Sequence, residues 1–131
     1  MAIDTSRPFR PVAIAVLTIS DTRDLSSDRS GDLLVEKLSA AGHQLAARAL
    51  VKDDPDAIQG TILGWIADPG IDCVITTGGT GVTGRDITPE ALRAIWVKEI
   101  EGFGELFRWL SFQTIGTSSI QSRACAGVAR G

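Results

Sequence analysis

Asp53, Asp86 and the glycines between Thr77 and Arg85 are the residues of this chain whose types and spacing carry chemistry. The run Thr76-Thr77-Gly78-Gly79-Thr80-Gly81-Val82-Thr83-Gly84-Arg85-Asp86-Ile87-Thr88-Pro89-Glu90 joins the end of an apolar stretch to a glycine loop and then to a helix-start signal. Glycines let backbone N–H groups approach an anion where a side chain would obstruct it, and a helix N-terminus adds unpaired N–H groups and a favourable dipole. Such a loop suits phosphate. An aspartate beside it makes sense if a divalent cation lies between them, because Mg²⁺ is usually held by one or two carboxylates together with substrate phosphates. Asp86 is placed for that, Asp53 and Asp54 follow the second apolar stretch, and Ser20-Asp21 follow the first. Carboxylates from three loops around a glycine cradle would make a metal–phosphate site, where nucleotidyl transfer is mainly positioning and charge neutralisation.

Two better-known phosphate motifs fit less well. Gly79-Thr80-Gly81-Val82-Thr83-Gly84 matches the dinucleotide fingerprint G-x-G-x-x-G letter for letter. In that fingerprint, however, the third glycine already packs the helix, whereas here the helix start at Thr88-Pro89 comes later and Asp86 would face the pyrophosphate. A P-loop needs Lys and Ser/Thr where this chain has Arg85-Asp86. Plainer readings stand beside the functional ones. Asp54 reads first as a helix cap with Pro55 in the first turn, and Asp53 also fits an exposed loop. Asp86 equally serves a helix dipole, and Arg85 either clamps phosphate or sits in solvent. From composition, Ser118, Ser119 and Ser122 read as solvated or capping hydroxyls, and His43 carries no chemistry. Trp65, Trp96 and Trp109 sit at helix-packing positions and are expected in the core, while Cys73 and Cys125 read as two free thiols.

The elements that must position these residues follow from patterning. The 131 residues make one domain, with residues 1–11 a loose leader and 12–131 an α/β domain. A net charge of −3 argues against electrostatic capture of nucleic acid or an anionic membrane, so an anionic ligand must be held locally. The first apolar run, Val12 to Ile19, is too short to span a bilayer and shows no cleavage pattern, which makes cytoplasmic the default. Its continuous apolarity predicts a strand covered on both faces. Leu34, Leu38 and Ala41 predict a helix stopped by Gly42, and residues 45–51 a weaker strand. A helix from Pro55 buries Ile58, Ile62, Trp65 and Ile66, and a third strand runs from Ile71 to Thr77. Thr88 is expected to cap a helix burying Leu92, Ile95 and Trp96. Another helix is expected over Phe103–Phe112 with Leu106 and Leu110 on one side, and a short one over Ile120–Val128. Alternating strands and helices predict a three-layer αβα sandwich with a mainly parallel sheet.

Thr76-Thr77-Gly78-Gly79-Thr80-Gly81 with Arg85-Asp86-Ile87-Thr88-Pro89-Glu90-Ala91 resembles the signature of molybdenum cofactor biosynthesis proteins of the Mog and MoaB type, whose fold recurs in gephyrin. Glu101-Gly102-Phe103-Gly104-Glu105-Leu106-Phe107-Arg108 and Ile115-Gly116-Thr117-Ser118-Ser119-Ile120-Gln121-Ser122-Arg123-Ala124 look especially like the MoaB branch. The resemblance runs from about Arg10 to the end. It implies a domain, usually a homotrimer or homohexamer, that binds molybdopterin. In catalytic members molybdopterin is adenylylated from Mg-ATP; the alternative is a non-catalytic pterin-binding or carrier protein of the same pathway. Asp53 and Asp86 match the family's two functional aspartates, which the resemblance implies as Mg²⁺ ligands. Thr77, Gly78, Gly79, Thr80 and Gly81 match its nucleotide loop, and Ser20, Asp21, Ser118, Ser119 and Ser122 would lie on the pterin side. Family members continue with a strand and a final helix that this sequence is expected to lack.

Overall fold

The computed structural model describes residues 2–130. Its centre is a parallel three-stranded sheet in the order β2-β1-β3, built from β1 (Ala13–Ile19), β2 (Gln44–Val51) and β3 (Cys73–Thr77). β1 is apolar on both faces because it lies between the other two strands and between helices. Ile14 and Val16 pack on Leu38 of α1 (Arg29–Ala40), while Leu17 and Ile19 pack on Ile58 and Ile62 of α2 (Pro55–Ile66) and Ala91 of α3 (Thr88–Arg93). The three-layer α/β/α arrangement read from the sequence is therefore the observed fold. Leu17, Val16 and Ile58 are fully buried, and truncating one of them to Ala costs about 2–5 kcal/mol in such a core.

Register brings the strand ends together. Ile19 pairs with Val51 and Thr18 with Thr77, so the loops after β1, β2 and β3 leave from one edge of the sheet. Ser20 N–H donates to Val51 O at 2.9 Å, extending the ladder into the first of those loops.

Local signals explain most boundaries. Asp54 caps α2 by accepting from Ala57 N at 2.9 Å, with Pro55 in the first turn. Gly42, at φ +90°, ends α1 in a conformation that favours glycine. His43 Nδ1 accepts from Val12 N at 3.1 Å and has a structural part. Both cysteines are free.

Several expectations are corrected. β3 begins at Cys73 rather than Ile71, because the Ile71 N–H is spent closing the turn from Asp68, and Asp72 leads into the strand through its bond to Ala13 O. Thr88 does not cap α3 with its side chain; it is the first helical residue, fully buried, and its hydroxyl is turned back onto the glycine loop. That helix stops at Arg93, so Ile95 and Trp96 lie beyond it, half-buried. A two-residue strand β4 (Lys98–Glu99) pairs antiparallel with β5 (Gly127–Val128). The expected helix over Ile120–Val128 is instead the end of a 3-10 turn (Gly116–Gln121) followed by extended chain reaching β5, because its backbone groups bond to the glycine loop and β4. α4 (Glu101–Ile115) is longer than expected, and Leu106 and Leu110 on it are exposed. Trp109, expected in the core, is 61% exposed on the same helix, while Trp65 is partly buried against the core.

Candidate functional site

The loop after β3 turns back sharply over the sheet edge. Gly78 and Gly79 have φ of +101° and +68°, and a Cβ on Gly78 would collide with the Ile19 carbonyl oxygen. A Cβ on Gly79 would strike Thr88 Oγ1 and lie 3.0 Å from Asp53 Oδ1. Glycine is required at both places, by conformation and by room. Thr88 anchors the loop from the far side: its N–H donates to Gly79 O at 3.1 Å and its hydroxyl to Gly78 O at 2.9 Å. Gly81 lies against Asp86, since a Cβ there would be 2.7 Å from Asp86 Oδ2. Gly84 has open space around it, which separates this loop from the dinucleotide fingerprint, whose third glycine is needed for close packing.

The first two loops are buckled to this one through Asp21. Its Oδ1 accepts from Asp53 N at 3.0 Å, and its Oδ2 forms an ion pair with Arg85. Arg85 sits in solvent, 75% exposed, with its guanidinium paired to Asp21. Ser20 Oγ accepts from Thr22 N and Arg23 N, building the turn that presents Asp21.

The two candidate carboxylates differ in their surroundings. Asp86 Oδ2 accepts from Thr83 Oγ1 at 2.6 Å and Thr83 N at 3.1 Å, and these bonds hold its carboxyl below the usual carboxylate range. Asp53 has no such support. Burial, with the negative charge of Asp86 added, pushes its carboxyl up, and its buried Oδ1 has no hydrogen-bond partner. A buried acceptor without a donor is costly to leave and fits a cation. Among the described residues no group of three or more His, Cys, Asp or Glu could hold a metal, and Mg²⁺ is usually held by one or two carboxylates with substrate phosphates and water completing its shell.

Thr77, Gly78, Gly79, Thr80 and Gly81 form one continuous half-buried run at this edge. Of the serines, Ser118 is exposed, Ser119 is buried and Ser122 is half-buried. Ser119 O accepts from Ser122 N at 3.1 Å, and the next residue, Arg123, donates its N–H to Thr80 O at 2.9 Å. The serine segment therefore lies against the glycine loop although some 40 residues of chain separate them.

Two features were not anticipated from the sequence as parts of this region. Arg123 reaches Gly81 O, Asp86 O and Glu90 with its guanidinium. Asp28, fully buried at the start of α1, accepts from Thr18 Oγ1 at 2.7 Å, Gly31 N at 3.0 Å and Arg48 at 3.1 Å. Apart from the N-cap bond from Gly31 to Asp28 these partners are distant in sequence, so the only sequence signals were an arginine among small residues and a possible N-cap.

Residues 15–129 match the family model described as "probable molybdopterin binding domain". The chain belongs to that family. Molybdenum cofactor biosynthesis protein B of Escherichia coli K12 is 48% identical over 124 residues, covering 95% of this chain and 73% of that protein. The protein of the same name from Bacillus subtilis is 47% identical over 118 residues, covering 89% and 69%. A crystal structure of a molybdenum cofactor biosynthesis protein B superposes with a TM-score of 0.88 at 46% identity, covering 93% of this chain and 76% of that one. Family membership and fold thus agree with the resemblance carried by the glycine loop and the Ser118–Ala124 segment. No helix among the described residues is long and apolar enough to cross a membrane.

Proposed function

We propose that this protein acts in molybdenum cofactor biosynthesis by binding molybdopterin and Mg-ATP and adenylylating molybdopterin. The observation that carries the reading is the buried, unpaired Oδ1 of Asp53, set beside Gly79 and within the field of Asp86. Asp53 and Asp86 would hold Mg²⁺, which supplies neutralisation of phosphate charge. Thr77 and the Gly78–Gly81 backbone would cradle the ATP phosphates, with Thr80 directed by its bond from Arg123. Ser118, Ser119 and Ser122, with Ser20 and Asp21 across the crevice, would face the pterin. In the transfer, an oxygen of the molybdopterin phosphate bonds to the α-phosphorus of ATP, and the bond from that phosphorus to the bridging oxygen breaks. Pyrophosphate leaves with the electron pair. The protein's part is to align the two phosphates in line and to exclude competing water.

One observation favours the second reading, a non-catalytic pterin-binding or carrier protein. Asp86 Oδ2 is already occupied twice by Thr83, as expected of a structural carboxylate. A homotrimer or homohexamer belongs to the same proposal and is supported by α4, where Phe103, Leu106, Phe107 and Leu110 line one exposed side. Light scattering checks it, and a monomer at micromolar concentration contradicts it. The free thiols accord with a cytoplasmic location.

Incubation of the folded protein with molybdopterin and Mg-ATP tests the function. Adenylylated molybdopterin and pyrophosphate in equal amounts are expected. Molybdopterin binding without either product would leave the carrier reading in its place.

A further inference from the structure

We infer that Arg123 is a positioning residue that fixes the Asp86 main chain against the glycine loop and couples that loop to the Ser118–Ser122 segment. Its backbone N–H donates to Thr80 O at 2.9 Å, its Nε donates to Gly81 O, and one terminal nitrogen donates to Asp86 O. The other terminal nitrogen bonds both oxygens of Glu90, at 2.7 and 2.8 Å. One side chain thereby joins three successive parts of the segment after β3: the cradle at Gly81, the main chain at Asp86 and the first turn of α3 at Glu90. The planar five-donor fork of arginine can satisfy this set at once, whereas lysine's point charge cannot.

The arrangement leaves few donors for a ligand. Nε and both terminal nitrogens are engaged by the protein, so most of the Arg123 donors are spent on holding the loop. Asp86 itself is held at two points. Thr83 orients its carboxylate and Arg123 holds its carbonyl, which fixes the whole residue relative to Gly81. Ser122 immediately precedes Arg123, so a shift of the serine segment is transmitted to Asp86 through one peptide unit and the guanidinium. Displacement of a reacting or metal-holding group by about 1 Å is enough to cost on the order of 100-fold in rate.

The inference rests on the adenylylation reading for its kinetic consequence but not for its structural one. Arg123→Lys and Arg123→Gln are compared with the parent protein after circular dichroism and thermal melting establish folding. With the parent active, kcat should fall by about tenfold or more while KM for molybdopterin changes little, and Lys should not restore kcat. Hydrogen exchange at residues 80–86 should accelerate in both variants, with β1 and α2 unchanged. A parent protein without turnover overturns the adenylylation reading alone, and exchange at residues 80–86 then decides the role of Arg123. Folded variants with the parent's exchange in this loop, or a Lys variant with the parent's kcat, overturn the inference. Should the Gln variant fail to fold, the Lys variant carries the same two measurements.

Discussion

The Asp53 N–H donates to Asp21 Oδ1 at 3.0 Å, while the Asp53 side chain keeps a buried Oδ1 with no partner. The main chain of the second loop is thus fixed by the first, and the carboxylate it carries is left unsatisfied. Fixing the backbone while leaving the acceptor open is what a preorganised ligand position requires.

Asp21→Ala removes both the acceptor for Asp53 N and the partner of Arg85. Outer-shell losses of this kind lower metal affinity or activity by about 10–100-fold. The expected result is weaker Mg-ATP binding by calorimetry with a stability loss of only about 1 kcal/mol in urea. Asp21→Asn keeps an acceptor oxygen and should lie between the two.

Asp53 makes the folded protein less stable when it ionises. Its carboxyl titrates higher in the native state than unfolded, so the native state binds more protons between the ordinary value of about 4 and the raised one. Stability therefore falls as pH rises through that window and is level above it. Asp53→Asn should raise the melting temperature at pH 7 without ligands, and the gain should disappear below about pH 3, where both states are protonated. An equal gain at both pH values would point to packing instead.

Asp28 has the opposite sign. Burial raises its carboxyl, but the bonds from Thr18, Gly31 and Arg48 outweigh that and hold it below its ordinary value. Its contribution is present above the unfolded value and is lost as pH falls through the native one. Asp28→Ala leaves Thr18 Oγ1 and Gly31 N without their acceptor while Arg48 keeps Asp32 at 2.7 Å, and should cost about 1–3 kcal/mol in urea unfolding. The loss should shrink in acid.

The glycines of the loop should separate by substitution. Gly79→Ala places a methyl against Thr88 and Asp53 at a positive φ and should abolish nucleotide binding and lower stability. Gly84→Ala meets open space and should bind nucleotide within about twofold of the parent. Loss of binding on Gly84→Ala would restore a dinucleotide-like role for the third glycine.

What was legible in the sequence was local. The apolar run of β1, the Asp54-Pro55 helix start and the Gly42 stop each depend on neighbours a few residues away. The juxtaposition of Ser20-Asp21, Asp53 and Gly78 followed from parallel strands whose ends share an edge. What escaped depended on distant partners: Thr88 is spent on the Gly78 carbonyl, Arg123 on a loop some 40 residues earlier, and Asp28 on Arg48 of the next strand. The 122–128 stretch carries helix-compatible residues but bonds its backbone to Thr80 and β4, and Trp109 has a packing pattern but is left 61% exposed among the described residues.

Calorimetric titration of ATP with and without Mg²⁺, in the parent protein and Asp53→Asn, tests the role given to Asp53 most directly. Mg²⁺ should tighten ATP binding to the parent by about tenfold or more and to Asp53→Asn hardly at all. The same Mg²⁺ dependence in both proteins would contradict it.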